Sequence, residues 1–218
     1  MTPAAQVFSA SEILQEILNG KRVDLLLKQW GKSNRYAGSK DRHAIRDFVY
    51  NGLRNKRSAL SKIKAPQSGR NWAIGVLIEA NKDLNKYFND EAYSSSSLTI
   101  EEKQAIQKAT ESTKPPDVEL NVPAFLWPIW NADLGAEAEN IAKNLCERAP
   151  AFLRVNLQRI SIPQVRDILL EDNIHTEQHP SVQTALIITS GQNKIKNCKA
   201  FRDGLVEIQD ASSQASVI

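Results

Sequence analysis

Basic side chains that could bind phosphate recur at helical spacing within residues 39–57 of the sequence. This basic stripe consists of Arg42, Arg46, Tyr50 and Arg54, continued by Lys56 and Arg57. Residues four apart share one face of a helix, and this face lies opposite the apolar positions of the same segment. Guanidinium groups with an aromatic ring among them suit contacts to the phosphates and bases of RNA. An ordinary solvated helix face, partly neutralised by Asp41 and Asp47, is the alternative interpretation.

A second candidate lies between Pro150 and Leu157. Strand alternation would place three candidate side chains on one face of a sheet, namely Phe152, Arg154 and Asn156. The other face would carry the apolar side chains of Leu153, Val155 and Leu157. An aromatic ring, an arginine and an asparagine displayed together can stack on bases and bind phosphate. The alternative, which these residue types by themselves favour, is an edge-strand arginine paired with a carboxylate such as Asp167 or Glu171.

No residue pattern indicates catalysis or metal binding. The sequence contains no P-loop and no G-x-G-x-x-G, H-E-x-x-H, G-x-S-x-G or zinc-deaminase motif. His43, His175 and His179 fall in different predicted elements or loops, with no nucleophile or carboxylate motif nearby. Cys146 and Cys198 lack metal-ligand spacing and cannot form a disulfide framework, which indicates a reducing compartment. We therefore predict no catalytic, cofactor-binding or metal-binding residue in this chain.

Composition indicates a globular protein whose charges are unevenly distributed. Of its 218 residues, 41% are hydrophobic and 24% are charged, which excludes wholesale disorder and fibrous repeats. The net charge is only +3, but residues 1–70 hold 14 basic and 5 acidic side chains, whereas residues 71–140 hold 5 and 12. Because the sequence shows neither a signal-peptide pattern nor a bilayer-length apolar run, we expect a cytoplasmic location without membrane contact.

Apolar periodicity predicts helices throughout the first half of the chain. Capping-box patterns would begin two of them, at Ser9-x-x-Glu12 and at Thr99-x-x-Glu102. Helical spacing predicts three more, over Val23–Trp30, 39–56 and 72–78. The polar stretch 81–97, with four consecutive serines, is typical of an exposed loop. Residues 111–117 include two prolines and are typical of a linker between domains.

The second half changes from helices to a mixture of strands and helices. Two helices are expected first, over residues 125–130 and 138–145, with Pro128 kinking or shortening the first. The pattern then predicts three strands and one capped helix: Phe152–Leu157, Thr184–Thr189 and Leu205–Ile208, with the helix over Ser161–Leu170. This order predicts a small α+β layer with helices on one face.

The last residues read as the start of another element. From Gln209 onward we expect a strand end followed by a helix start, with Asp210 as its N-cap. Val217 and Ile218 would begin an apolar face, so the sequence stops in mid-element, whereas natural termini usually end in polar residues. We therefore expect a fragment of a longer chain.

Several segments together resemble the RsmB/Sun/NOP group of S-adenosylmethionine-dependent RNA (cytosine-5) methyltransferases. Residues 41–54 (DRHAIRDFVYNGLR) resemble the central helix of that group's N-terminal NusB-like domain. Residues 122–128 (VPAFLWP), 148–156 (RAPAFLRVN) and 201–214 (FRDGLVEIQDASSQ) resemble, in this order, the group's pre-catalytic domain. The resemblance covers essentially the whole chain.

The resemblance implies a multi-domain arrangement. Residues 1–114 would form an all-α, NusB-like, RNA-binding domain, and residues 119–208 a small α+β domain of ferredoxin or RRM type that positions RNA. Residues 209–218 would start a Rossmann-like methyltransferase domain that is otherwise absent from this chain. S-adenosylmethionine would be the cofactor of the full-length enzyme, with none bound here. Cys146 and Cys198 precede this point and lack the Pro-Cys or Thr-Cys-Ser context of the catalytic cysteines.

The function implied is that of an N-terminal fragment of a 16S rRNA-type (cytosine-5) methyltransferase. It would bind RNA, ribosomal RNA by implication, and position it for a C-terminal methyltransferase domain. A non-catalytic NusB-like RNA-binding or antitermination module is the alternative. A protein-interaction domain whose basic stripe contacts an acidic protein surface is a third interpretation.

Overall fold

The computed structural model describes residues 1–217, so the apolar role expected of Ile218 lies outside the described residues. The chain divides into two compact units, Met1–Arg148 and the residues from Ala149 onward. Among the described residues, no helix is both long and apolar enough to cross a membrane.

The first unit is built from helices. They are α1 (Pro3–Leu18), α2 (Val23–Ser33), α3 (Ser39–Arg54), α4 (Lys56–Ser61), α5 (Gly69–Glu79), α6 (Ile100–Thr110), α7 (Pro116–Glu119), α8 (Trp127–Leu134) and α9 (Ala138–Cys146). The core lies where α1, α3 and α5 meet, and Trp72 at its centre is fully buried. Its indole Nε1 donates a hydrogen bond to the carbonyl oxygen of Gly52 at 3.1 Å, so the buried polar atom is satisfied.

Helices α4 and α5 approach each other at backbone distance. A Cβ atom built on Gly75 would lie 1.9 Å from the carbonyl oxygen of Ala59, a separation that no side chain tolerates. Glycine is therefore the only residue that allows this contact between the two helices. The apolar run 72–78 was predicted correctly as a helix, and its burial on all sides explains why it shows little amphipathic pattern.

The predicted start of the first helix is wrong. Helix α1 begins at Pro3 after the N-cap Thr2, whose hydroxyl accepts a hydrogen bond from the amide of Ala5 at 3.2 Å. Ser9 and Ser11 are buried inside this helix. A proline at the first helical position and a threonine before it supply a cap seven residues earlier than the expected one.

The second capping box is confirmed. The Thr99 hydroxyl accepts from the amide of Glu102 at 3.2 Å, and the Glu102 carboxylate accepts from the amide of Thr99 at 3.0 Å. The stretch 81–97 is mostly irregular, as expected, apart from a 3₁₀ turn over Leu84–Lys86. However, Phe88 is only 1% exposed and anchors this loop in the helical core, which its polar surroundings concealed.

The second unit is a four-stranded antiparallel sheet with helices. Its elements are β1 (Ala151–Val155), α10 (Ile162–Glu171), β2 (His175–Gln178), β3 (Ala185–Ser190), a 3₁₀ helix (Gln192–Asn197), α11 (Lys199–Arg202), β4 (Val206–Ile208) and α12 (Ala211–Ala215). The sheet order is β2-β3-β1-β4, and every pairing is antiparallel. This β-α-β-β-α-β sequence is that of the ferredoxin-like fold, so the α+β prediction is confirmed.

The sequence analysis missed strand β2. Its residues, His175–Gln178, are polar, and only Thr176 is buried. The strand lies at the edge of the sheet and pairs with β3 alone, so one inward side chain is sufficient. Strand β1 ends at Val155, which leaves Leu157 48% exposed instead of on the buried face.

Asp210 caps helix α12 as expected, because its carboxylate accepts from the amide of Ser212 at 2.9 Å. Gln214, 3% exposed, donates from Nε2 to the carbonyl oxygen of Gln209 at 3.0 Å and accepts from the Thr184 hydroxyl at 2.8 Å. The predicted domain limits of 1–114, 119–208 and 209–218 stay a prediction. The compact units themselves divide after Arg148.

Candidate nucleic-acid interface

The first half of the basic stripe is open to solvent. Arg42 is exposed, and its Nε donates to the carbonyl oxygen of Ala37 at 2.9 Å, which fixes the direction of the guanidinium group. The Arg46 side chain is 44% exposed, with its Nε 3.6 Å from a carboxylate oxygen of Asp47. Tyr50 is half-buried on the same helix. Arg42 and Arg46 can therefore present charge to a ligand.

The second half of the stripe is engaged within the helical unit. Arg57 forms an ion pair with Asp117 of α7, and the ammonium of Lys56 lies 5.2 Å from the centre of the Trp72 ring. Among the described residues, the Nε atoms of Arg54 and Arg57 are buried without a hydrogen-bond partner. A phosphate contact by Arg57 would require it to exchange Asp117 for the new partner.

A polar cluster surrounds Arg57 and holds α7 against α4. The side-chain oxygen of Asn121 accepts from the amide of Ser58 at 3.0 Å, and the Asn121 Nδ2 donates to the Ser58 hydroxyl at 2.9 Å. Burial raises the pKa of nearby Glu79, and a hydrogen bond with Ser58 and the charges of two lysines only partly oppose this effect. The segment predicted as a linker is therefore fixed to the helical unit.

On the sheet, Arg154 is paired with a carboxylate. Its Nη2 donates to Oε2 of Glu207 at 2.8 Å, and the two residues face each other in the β1–β4 register. The side chains are 46% and 64% exposed, so the ion pair lies in solvent. The alternative interpretation named the right kind of interaction but the wrong partners, because Asp167 and Glu171 lie on or at the end of α10.

Phe152 and Asn156 do not form an open platform with Arg154. The Phe152 ring lies edge-on to His179, with 5.9 Å between ring centres, and packs against Val182, Ala185 and Ala211. Asn156 follows the end of β1, and its amide donates to the carbonyl oxygen of Leu205 at 2.9 Å. Of the three candidate side chains, only Arg154 is exposed.

Sequence reasoning missed a concave surface beside α3. This basic concavity, of about 760 Å³, is lined by Leu27, Lys28, Gly31, Lys32, Arg35 and Arg42. All four of its cationic residues are exposed, and none of these described lining residues is acidic. The i, i+4 spacing of Lys28 and Lys32 was a signal, but only the tertiary structure, in which Gly31 of α2 lies beside the Arg42 side chain, shows that they share a concavity with Arg42. Such a surface attracts anions.

Neither cysteine is placed to act as a nucleophile. Cys146 is half-buried, its Sγ donates to the carbonyl oxygen of Leu120 at 3.7 Å, and burial raises its pKa. Cys198 is 3% exposed in the core of the second unit. The thiolate is the reactive form of cysteine, so a raised pKa and deep burial both disfavour attack on a substrate.

The described residues do not fit S-adenosylmethionine or a metal ion. The strands of residues 149–217 are all antiparallel, and no glycine-rich turn joins a strand to a helix as in doubly wound nucleotide-binding sheets. Within residues 1–217, no three His, Cys, Asp or Glu side chains are grouped to hold a metal.

Comparisons with known proteins identify one similar domain family and one similar fold. Residues 122–194 match the family model described as "Methyltr_RsmF/B-like, ferredoxin-like domain". No curated protein gives a significant match to the sequence. A solved structure described as "Crystal Structure of PH0851" is similar in fold, with a TM-score of 0.56 and 16% sequence identity. The similarity covers 100% of this chain and 55% of that one, so the chain spans about half the length of this relative. Residues 122–194 are therefore similar to the ferredoxin-like domain of RsmF/B-like methyltransferases.

Proposed function

We propose that this chain binds RNA and positions it for an S-adenosylmethionine-dependent (cytosine-5) methyltransferase that acts on ribosomal RNA of the 16S type. The match of residues 122–194 to the RsmF/B-like ferredoxin-like domain carries the proposal. Transfer of the methyl group would belong to residues outside these 218, because the described cysteines and strands suit neither nucleophilic attack nor cofactor binding. Residues 1–114 would then be the NusB-like part of the enzyme.

The charge of the helical unit supports RNA as the ligand. Four exposed cationic side chains surround the basic concavity, and Arg46 continues them along α3. RNA carries one phosphate charge per nucleotide, so a concave cationic surface gains free energy by releasing the counterions of that backbone. Holding the RNA in one orientation relative to a catalytic site would convert binding into an increase in reaction rate.

Salt-dependent binding tests the proposal. The 218-residue chain should bind fragments of small-subunit ribosomal RNA, and the logarithm of its affinity should fall linearly with the logarithm of salt concentration. An acidic polypeptide at the same charge concentration should compete poorly, because it lacks the regular spacing of phosphates. Failure to bind RNA, or stronger binding to the acidic polypeptide, would contradict the proposal and favour a protein-interaction domain.

A transfer assay tests where the chemistry resides. The chain, mixed with ribosomal RNA and labelled S-adenosylmethionine, should transfer no label. A longer protein that contains this chain and a downstream methyltransferase domain should label cytosine. Label transferred by these 218 residues alone would show that the catalytic site lies within them.

A further inference from the structure

A second hollow lies beside the basic concavity and is lined by aromatic side chains. This aromatic pocket, of about 640 Å³, includes Phe8, Glu12, Trp30, Asn34, Tyr36 and Tyr93 in its lining. Its volume lies within the range of roughly 300–1,000 Å³ that is usual for small-ligand sites. No residue of the basic stripe lines it, so the proposed function does not yet use it.

The rings at the mouth of the aromatic pocket are unusually open to solvent. Tyr36 is 72% exposed and Tyr93 is 84% exposed, whereas Trp30 is half-buried and packs against the helical core. Tyr93 also has a backbone φ of 65°, a conformation that bulky residues rarely adopt because it is strained. The fold therefore holds two rings in water beside a fixed third one, which is the arrangement of a stacking platform.

The loop that carries Tyr93 is anchored on both sides. The Asp90 carboxylate accepts from the amide of Ser97 at 3.1 Å, and Arg70 donates from Nη2 to the carbonyl oxygen of Ser96 at 2.9 Å. Arg70 is held in turn by Glu102, with its Nε 2.7 Å from a carboxylate oxygen. The ring of Tyr93 is therefore displayed by a fixed loop.

The aromatic pocket and the basic concavity flank the same helix end. Trp30 and Asn34 line the pocket, while Leu27 and Gly31, three residues before each of them, line the concavity. Side chains three apart are neighbours on a helix, so the two hollows adjoin. Immediately after α2, the consecutive residues Arg35 and Tyr36 line different hollows. Phosphate-binding charge and ring-stacking surface are thus presented side by side.

We infer that the aromatic pocket takes an unstacked base of single-stranded RNA while the flanking phosphates lie in the basic concavity. This inference rests on the proposed function and names the form of RNA that this surface recognises. A nucleotide combines an aromatic base with an anionic phosphate, which matches an aromatic pocket beside four cations. Base-specific RNA recognition generally uses unpaired bases that stack on aromatic side chains.

The presence of Glu12 in the lining indicates which base the aromatic pocket prefers. Its exposed carboxylate lies in the lining of the pocket and offers two acceptor oxygens and no donor. Guanine presents two adjacent N–H donors, N1 and N2, on its Watson–Crick edge. Adenine and cytosine each place an acceptor beside a donor there, and uracil places one donor between two acceptors. The pocket should therefore prefer guanine.

Short RNAs test the inference. Fluorescein-labelled pentaribonucleotides of sequence U-U-N-U-U, with each of the four bases at N, would be titrated with the full chain at low ionic strength. The unsubstituted chain should bind the guanine form best. The double variant Tyr36→Ala and Tyr93→Ala should lose about tenfold to a hundredfold in affinity, as removal of stacking rings does. The double Phe variant should restore most of that loss, because it keeps both rings.

Further variants separate recognition from folding. Phe125→Ala removes a ring that is 77% exposed outside the pocket and should leave the affinity unchanged. Glu12→Gln should lower the preference for guanine by about tenfold, as the loss of a charge-assisted hydrogen bond does. Coincident thermal unfolding of all variants would show that none has unfolded.

Three outcomes are distinguishable. If the double variant Tyr36→Ala and Tyr93→Ala keeps full RNA affinity while Lys28→Ala and Lys32→Ala together weaken binding, the base pocket is refuted. The proposed RNA-binding function then stands. If the unsubstituted chain binds none of these RNAs and no ribosomal RNA fragment, the proposed function itself fails. Equal affinity for all four bases in the unsubstituted chain would refute the role of Glu12.

Discussion

Arg154 in the second unit and the cations of the basic concavity in the helical unit have different surroundings. In the second unit, Arg154 faces Glu207 across adjacent strands at 2.8 Å, so its charge is compensated in place. In the helical unit, Lys28, Lys32 and Arg42 line one concavity whose described lining contains no carboxylate. A sheet register thus pairs opposite charges across adjacent strands, whereas the tertiary fold of the helical unit gathers like charges from separate segments.

The largest expected effect comes from destabilising the helical unit alone. Gly75→Ala would place a methyl group 1.9 Å from the Ala59 carbonyl oxygen, which should cost about 3 kcal/mol of unfolding free energy. All four tryptophans lie within residues 1–148, so the midpoint of urea unfolding followed by tryptophan fluorescence measures this unit. Gly31→Ala is the control, since its nearest neighbour is 3.8 Å away. An unchanged midpoint for Gly75→Ala would refute the close packing of α4 and α5.

A smaller effect compares one ion pair from each unit. Asp117→Asn removes the partner of Arg57, whose Nε is already buried and unsatisfied, and should cost about 1–2 kcal/mol. Glu207→Gln removes the partner of Arg154 in solvent and should cost at most about 1 kcal/mol. Chemical denaturation of the two variants measures both costs. A larger loss for Glu207→Gln would reverse the order that burial predicts.

The smallest effect is a difference in pH dependence between two carboxylates. Burial raises the pKa of Glu79 above its ordinary value of 4.5, so its contribution to stability is present below that value and is lost as the pH rises through the raised pKa. Hydrogen bonds with Ser212 lower the pKa of Asp210 below 3.8, so its contribution is present above that value and is lost as the pH falls through the lowered pKa.

One variant of each carboxylate measures these opposite pH dependences of stability. In thermal unfolding at several pH values, Glu79→Gln should flatten the loss of stability on the alkaline side of pH 4.5. Asp210→Asn should flatten the loss on the acidic side of pH 3.8. If both variants changed the pH dependence of stability on the same side, the two carboxylates would not differ in environment as described.

The spacing of apolar residues predicted those helices and strands whose own sequence has a regular period. Helix α3 and the alternation of Leu153 and Val155 on β1 follow directly from residue spacing, and both are observed. The start of α1 was missed because the pattern from Ser9 to Glu12 resembles the capping box of a helix start, although Ser9 and Ser11 are both buried inside the helix. Strand β2 was missed because a polar edge strand carries almost no apolar alternation.

The candidate site depends more on tertiary contacts than on local pattern. Arg154 and Glu207 are 53 residues apart, so their pairing follows from the sheet register and not from spacing. Arg54 and Arg57 belong to the basic stripe by spacing, yet their Nε atoms are buried because α7 packs against α4. The basic concavity needs α2 beside α3, which no sequence pattern specifies. RNA contact by Phe152, Arg154 and Asn156 stays a prediction.

The salt dependence of RNA binding tests the central claim that the helical unit supplies the main phosphate contacts. Replacement of Lys28, Lys32 and Arg42 by alanine should reduce the slope of log affinity against log salt by about 2, since each lost contact to single-stranded RNA removes about 0.7. Replacement of three exposed lysines outside the concavity, Lys86, Lys103 and Lys108, by alanine controls for the loss of net charge, and Arg154→Ala represents the sheet. We predict an unchanged slope for the lysine control and a change of at most about 0.7 for Arg154→Ala, which is already paired with Glu207. A slope that falls with Arg154→Ala and not with the triple variant of the concavity would contradict the central claim.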